Sequence, residues 1–413
     1  MPMAMMVNNS SYGCKLPREI IEEIVLRLDA KSVTRFKCVS KSWLSRISDP
    51  SFMSCHHKRQ VPRTLLGLQF LDDVLGINED CGMLCSFRSS ENFHEISSKV
   101  FPIYKLRREN MAMAFVGSHY GVICWVDKIH NCVYLWNPTI EKHKKLPPSP
   151  YTPSEPGSFS PLLTLYGFGY EPLTNDFKVV AACGGKDTET RKCSNFFQTC
   201  EQVSLYSLNS NSWKTMVMPD LFSSDQDYDS TMLRIFPING TASVVVSGSI
   251  HWPITIVRPQ LRQENLVKVY SDGVVAFDLS SEQFKLINPP SSLNNEVFYV
   301  RSIYNLCGCL SLLTSPSYLL SCIEIWVMKK YGVSNSWTKH ISLDLVDRSL
   351  PSSPRNTFQP LGVLHNGNLL LESRYRGTLA FYDPRSDSGR LQNVCPWEQV
   401  FYFATYAESI FLS

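Results

Sequence analysis

The feature of this sequence that most constrains its fold is a five-residue pattern that recurs along the chain. In each copy an alternating apolar run ends in an aromatic residue, often followed by a small polar or acidic one. The copies are residues 133–137, 203–207, 274–278, 323–327 and 379–383. Alternation with period two is typical of β-strands. Five copies of one strand predict a repeat architecture.

Each copy is part of a longer unit. Most copies follow a strand that begins with glycine, at residues 121–125, 248–252, 308–312 and 367–371. Most are followed, about seven to eleven residues on, by an aromatic residue or leucine, at Trp213, Phe284, Trp337 and Leu391. Units of roughly 50 to 70 residues with this order of strands predict the four-stranded blades of a propeller, and the kelch-like period of about 50 fits best.

The number of blades follows from the two ends of this region. One blade ahead of residue 110 and a closing strand from residue 400 onwards bring the prediction to about six blades. The irregular spacing of the units also fits a twisted β-sandwich. Segments rich in proline and serine, at 147–161, 220–230 and 349–354, predict mobile loops, and loops on a rigid scaffold are where binding specificity usually lies.

The first sixty residues have a helical period instead. Between Leu16 and Leu28, apolar residues at positions 20, 21, 24, 25 and 28 predict one amphipathic helix, with Pro17 suited to its first position. A second helical pattern has its apolar residues at Val33, Phe36, Val39, Trp43 and Ile47. It ends at residues 49–50, because the residue before a proline is driven out of the helical region.

So short a helical segment cannot bury its own apolar side chains. We therefore expect some of Leu16, Ile20, Ile24, Phe36 and Trp43 to stay exposed, as in a module that docks on a partner. The alternative is that these helices pack on the rest of the same chain.

Two regions resemble a known family. The stretch from Leu16 to Trp43, continuing through residues 47–52, strongly resembles the F-box of plant F-box proteins; it departs from the usual pattern at residues 29–30, where a proline and an aliphatic residue are common. Residues 167–170, 175–180, 248–252 and 276–279, together with 135–138, resemble the plant F-box-associated interaction domain. This second resemblance extends over most of residues 110–390.

The resemblance implies an α+β chain: a disordered N-terminus at 1–14, a helical F-box module at 15–56, and a mostly antiparallel, kelch-like β-propeller at 57–413 that recognises substrates. It implies that the F-box binds a Skp-type adaptor, and through it the cullin and RING subunits of an SCF ubiquitin ligase, so that a protein substrate is ubiquitinated and degraded. The implied adaptor-binding residues are Leu16, Pro17, Ile20, Ile24, Leu28, Val33, Phe36, Val39 and Trp43.

Composition argues against two other classes of partner. With 40 Lys and Arg against 37 Asp and Glu, a net charge of +3 provides no broad attraction to nucleic acid or anionic lipid. The first fifteen residues lack the pattern of a secretory leader, and no apolar run approaches the roughly 18 to 20 residues of a membrane span. The 14 cysteines are scattered, many of them within apolar runs, which suits a reducing compartment. We expect the protein in the cytoplasm, the nucleus or both.

No catalytic motif is visible. There is no Gly-x-Ser-x-Gly elbow and no phosphate-binding Gly-Lys-Ser/Thr loop, and the glycines at 167 and 169 are expected to be strand-turn residues. The histidine pair 56–57 and the isolated His119, His251 and His365 have no carboxylate or cysteine at a chemically meaningful spacing.

The cysteine pairs 81/85 and 307/309 do not assemble the four ligands of a zinc site. We therefore predict no catalytic residue, no metal and no cofactor, and a non-catalytic ligase subunit. Two alternatives remain: a propeller enzyme, since some kelch-type propellers house oxidases, and a Skp-binding scaffold without ligase function.

Overall fold

The computed structural model describes residues 16–60, 64–71, 82–89, 95–102, 113–127, 131–150, 164–183, 202–217, 234–237, 243–262, 265–293, 298–315, 322–344, 358–363, 369–373, 378–383, 392–396 and 402–412. The predicted disordered N-terminus and the predicted loops 220–230 and 349–354 lie outside these ranges, as does the part of the loop 147–161 after residue 150.

The N-terminal part forms a helical module. Its helices are α1 Arg18–Val25, α2 Ala30–Phe36, α3 Lys41–Ile47 and α4 Pro50–Arg59. The second helical pattern of the sequence is divided between α2 and α3, because Ser40 begins a new helix by accepting a hydrogen bond from the Trp43 amide. Asp29 and Asp49 begin α2 and α4 in the same way, and Pro50 is the first residue of α4.

The module has a small apolar core. Its buried side chains are Val25, Leu26, Ala30, Val33, Ile47 and Phe52, and Ile410 from the far end of the chain lies among them. Helix α4 continues past residue 56, where the sequence analysis ended the module, to Arg59.

The remaining described residues form six sheets. The strands of the first three sheets are β1 Thr64–Leu71, β2 Gly82–Ser89 and β3 Glu95–Pro102; β4 Met113–His119, β5 Val122–Asp127, β6 Cys132–Asn137 and β7 Lys142–Lys145; and β8 Thr164–Glu171, β9 Asp176–Cys183, β10 Gln202–Ser207 and β11 Ser212–Val217. The other three contain β12 Arg234–Pro237, β13 Val244–Val246, β14 Ser249–Arg262, β15 Asn265–Asp278 and β16 Phe284–Ile287; β17 Tyr299–Leu306, β18 Cys309–Ser315, β19 Cys322–Met328 and β20 Trp337–Asp344; and β21 Phe358–Val363, β22 Leu369–Ser373, β23 Thr378–Tyr382 and β24 Gln392–Pro396.

The sheets are arranged in a closed ring. The last strand, β25 Tyr402–Tyr406, pairs with β1 and so completes the first sheet from the other end of the chain. Around the ring, β4 contacts β8, β14 contacts both β8 and β17, and β17 contacts β21. The ring is closed by β25, which contacts both β21 and β4. In the described residues the domain is thus a propeller of six blades, as the sequence predicted.

The recurring pattern has one place in this architecture. It forms the third strand of its blade in β6, β10, β15, β19 and β23, and the glycine-led strands are second strands. The glycine is required by the turn before it: the residue pairs 120–121, 247–248 and 307–308 all have positive φ. Two consecutive residues of this kind make a type I′ hairpin, whose second position favours glycine.

Successive strands of a blade run in opposite directions. Turns between first and second strands therefore lie on the same side of the propeller as turns between third and fourth strands. We call this side the turn face. Tyr120 and Gly121, between β4 and β5, belong to it, and so does Thr139, between β6 and β7.

The glycines at 167 and 169 are not turn residues; that prediction was wrong. Both lie inside β8, where the next blade comes very close. A Cβ on Gly167 would overlap the indole of Trp252 and lie 2.8 Å from Cγ2 of Ile250. The indole Nε1 of Trp252 donates a hydrogen bond to the Tyr166 carbonyl oxygen at 2.7 Å. Two of the family-like segments thus pack on each other between blades.

Candidate functional site

Helix α1 is apolar on two sides. Ile21 and Leu28 pack against the core of the module and Val25 is buried within it. Ile20 and Ile24, one helical turn apart, are each 48% exposed, and Leu16, just ahead of the helix, is 52% exposed. The single apolar face that the sequence predicted is therefore two rows, of which the first faces the protein's own core and the second faces solvent.

Ion pairs hold α1 in this orientation. Glu22 pairs with Arg46 of α3 through two hydrogen bonds, one of them Nε to Oε2 at 3.1 Å. Glu23 pairs with Arg59 of α4 at 2.7 and 2.9 Å, and also with Arg27. The hydrogen bonds from Arg59 contribute most to holding the pKa of Glu23 below its usual value. Both carboxylates thus tie α1 to the later helices.

Further apolar side chains are exposed on the rest of the module. Val39, between α2 and α3, is 65% exposed, and Leu44 of α3 is 48% exposed. Phe36 and Trp43 are only partly buried and meet edge to face, with ring centroids 6.0 Å apart. We use the name docking surface for Leu16, Ile20, Ile24, Val39 and Leu44.

The nine residues expected to bind the adaptor therefore divide into three groups. Leu16, Pro17, Ile20, Ile24 and Val39 are exposed, and Leu28, Phe36 and Trp43 are partly buried against the module core. Val33 has no exposed surface and packs inside the module, so its place is in the core and not at a contact with a partner. Leu44 is also exposed but was not among the predicted residues, because the apolar series at 33, 36, 39, 43 and 47 does not include it.

A rim of basic side chains lies on the α2–α3 part of the module, whereas the exposed charge next to Ile20 on α1 is the acidic Glu19. Lys31, Arg35 and Lys41 are exposed on α2 and α3. Such a rim speeds association with an acidic partner more than it adds affinity.

The histidines of the propeller are held in hydrogen-bonded positions. The ring nitrogens of His251 lie 3.1 Å from the Val244 carbonyl oxygen and 2.9 Å from the Tyr331 hydroxyl. His119 Nδ1 accepts a hydrogen bond from the Tyr170 amide at 2.9 Å. Burial lowers the pKa of His251 to about 4 and that of His119 to about 3, so both rings are neutral at pH 7.

In the part of the chain that the structure describes, no three His, Cys, Asp or Glu side chains come together as a metal-ion site. The pair Cys307 and Cys309 lies there as free thiols, whereas Cys81 and His365 fall outside the described ranges. Of the described helices, none has the length and apolar composition that a membrane crossing requires.

Comparison with known proteins assigns both parts of the chain. Residues 14–54 match the family model of the F-box domain, and residues 74–395 match that of the F-box associated beta propeller domain. An F-box/kelch-repeat protein of Arabidopsis thaliana is 25% identical over 89% of this chain and 87% of its own length. The F-box protein CPR1 of the same plant is 29% identical over 78% of this chain and 72% of its own.

Among solved structures, a nidogen/laminin complex aligns with 83% of this chain and 97% of its own at 9% identity, with a TM-score of 0.37. So distant a likeness says nothing about function. The propeller model covers far more than half of the sequence and follows a matching F-box. The chain therefore belongs to the F-box proteins that carry an F-box-associated β-propeller domain.

Proposed function

We propose that this protein is the substrate-recognition subunit of an SCF-type ubiquitin ligase. The F-box module would bind a Skp-type adaptor, which links it to the cullin and RING subunits, and the propeller would hold a target protein for ubiquitination and degradation. The observation that carries the proposal is the row of half-exposed apolar side chains, Leu16, Ile20 and Ile24, on a helix whose opposite side is already packed.

The docking surface would supply part of the affinity that a stable complex requires. Complete burial of a large apolar side chain contributes about 1.5 to 3 kcal/mol. Since the five side chains of the docking surface are about half exposed, a partner that covered them would gain about 1 kcal/mol from each, or about 5 kcal/mol in all. A micromolar complex requires about 8 kcal/mol net of association costs. Hydrogen bonds and further apolar contacts with the adaptor would supply the remainder, while the basic side chains would chiefly speed association.

In this proposal the chain contributes proximity. Holding a substrate lysine near a charged ubiquitin-conjugating enzyme raises the effective concentration of the two reactants, and partner subunits perform the transfer itself. The expected compartments are the cytoplasm and the nucleus, because the 14 cysteines suit a reducing environment.

The test is co-purification with a Skp-type adaptor and cullin. Ile24→Asp would place an unpaired carboxylate in the adaptor interface, and burying it costs several kcal/mol. We expect this variant to lose the adaptor while its propeller melts at the wild-type temperature. Val333→Asp is a matched control, since Val333 lies in a propeller turn and is 47% exposed. Undiminished adaptor recovery with Ile24→Asp would refute the proposed interface.

A further inference from the structure

The segment that follows the closing strand β25 lies between the helical module and the propeller. We call residues 407–412 the bridging segment. Ile410 is fully buried in the core of the module, beside Val33, Ile47 and Phe52. The next residue, Phe411, is buried in the core shared by the second and third blades. Two adjacent side chains of the bridging segment are thus buried in two separate hydrophobic cores.

The backbone of the bridging segment is bound by a buried asparagine. The side-chain amide of Asn137 donates hydrogen bonds to the Ser409 carbonyl oxygen at 3.0 Å, the Phe411 carbonyl oxygen at 2.8 Å and the Ser409 hydroxyl at 3.1 Å. The side-chain oxygen Oδ1 of Asn137 accepts a hydrogen bond from the Thr139 backbone amide at 3.0 Å. This asparagine belongs to segment 135–138, one of the family-like segments of the sequence. Its role here is to hold the bridging segment on the turn face.

The hairpin turn beside this segment leaves no room for a side chain. A Cβ on Gly121 would lie 2.7 Å from the Ala407 carbonyl oxygen and 2.5 Å from the Ser409 hydroxyl. The φ of Gly121 is also positive, at 67°. Glycine is required at this position both by the turn and by the approach of the bridging segment.

Helix α4 of the module contacts both the β4–β5 turn and the bridging segment. The ring of His57 stacks on Tyr120 of the turn face, with centroids 4.3 Å apart, and its Nδ1 lies 3.4 Å from the Glu408 carbonyl oxygen. Tyr120 in turn meets Phe411 edge to face at 5.3 Å. Met53 of α4 packs against both cores. The contact between module and propeller is therefore apolar and closely packed.

We propose that the bridging segment is a joint that holds the F-box module in one fixed orientation on the turn face of the propeller. The two domains then move as one body, because release of the module would expose Ile410, and release of the propeller would expose Phe411 and break the hydrogen bonds of Asn137. The joint would keep a constant distance between the docking surface and any protein held on the propeller. It does not depend on what that protein is, nor on the ligase role.

The test separates the two anchors. Ile410→Glu releases the bridging segment from the module, and Phe411→Glu releases it from the propeller. Leu173→Glu is the matched control, an equal change at a residue of another turn that is 85% exposed. Small-angle X-ray scattering of the full chain reports its maximum dimension, and amide hydrogen exchange reports local opening.

We expect both release variants to have a larger maximum dimension than the control. Amides of α4 and of the β4–β5 turn should exchange on the order of tenfold faster, while β5, β6, α2 and α3 keep their protection. Scattering and exchange identical to the control would overturn the proposal. So would loss of protection throughout the domain that each variant touches, because the segment would then be a core element of each domain and not a joint between them.

Discussion

The contact between Gly167 and Trp252 allows a quantitative prediction about the propeller. In Gly167→Ala the new methyl group would overlap the rigid indole of Trp252 and press on Ile250. Overpacking a core of this kind costs about 1 to 3 kcal/mol. If the indole moves away, its hydrogen bond to the Tyr166 carbonyl oxygen is also lost, at a cost of about 1 kcal/mol. We expect a loss of about 3 kcal/mol and, for a domain of this size, a fall in Tm of about 4 °C.

Differential scanning calorimetry of the intact chain measures this loss. Gly248→Ala is the control, since a Cβ at Gly248 meets no atom within 4 Å and only the positive φ of 75° penalises it, by about 1 to 2 kcal/mol. Combining Gly167→Ala with Trp252→Phe should cost less than the sum of the two single changes, because both act on one contact. A Gly167→Ala protein that melts within about 1 °C of wild type, which corresponds to less than about 1 kcal/mol, would refute the close approach of these blades.

One further prediction concerns His57 of the helical module together with His119 of the propeller, and another concerns the core of the module. Burial lowers the pKa of His57 to about 4 and that of His119 to about 3, whereas both histidines titrate near 6.5 in the unfolded chain. The free energy of unfolding that the two neutral rings contribute is therefore complete above about pH 6.5. It falls as the pH drops from there towards about 4. Urea unfolding should show a loss of about 2 kcal/mol per histidine between pH 7 and pH 5, and an unchanged midpoint would contradict this. Val33→Ala removes two buried methyl groups, so thermal unfolding should show the module destabilised by about 2 kcal/mol. The affinity of the folded variant for the adaptor should be unchanged. A loss of that affinity would place Val33 in the adaptor interface.

The blades could be predicted because their signals are local. Alternation identifies a strand, and the glycines at 121, 248 and 308 mark the hairpins that begin three of the second strands, where the structure shows positive φ. Counting six blades also required the expectation that the end of the chain closes the ring, which the pairing of Thr64 with Tyr406 confirms.

Other features depend on contacts that no local pattern contains. Gly167 looks like a turn glycine until Trp252 of the next blade is placed beside it. Helical spacing places the apolar residues Ile20, Ile24 and Val33 on helices, but it does not show which of them is buried, because these helices are apolar on more than one side. Only the packing of α1 to α4 separates the exposed pair from the buried Val33.

The role of the bridging segment could not be predicted from the sequence. Residues 409–411 carry no motif, and the residue that binds them, Asn137, is some 270 positions away in the chain. The local sequence indicates only that Asn137 ends a strand. In the structure its side-chain amide donates hydrogen bonds to Ser409 and Phe411 of the bridging segment.

We propose that proteins held by the propeller are brought to a ubiquitin ligase through the docking surface. The most direct measurement is quantitative mass spectrometry of the proteins retained by wild type and by Ile24→Asp, with and without proteasome inhibition. We predict that at least one protein retained by both accumulates on inhibition in cells that express wild type but not in cells that express the variant. Retained proteins whose levels do not respond to inhibition in either case would contradict the claim and favour a scaffold without ligase function.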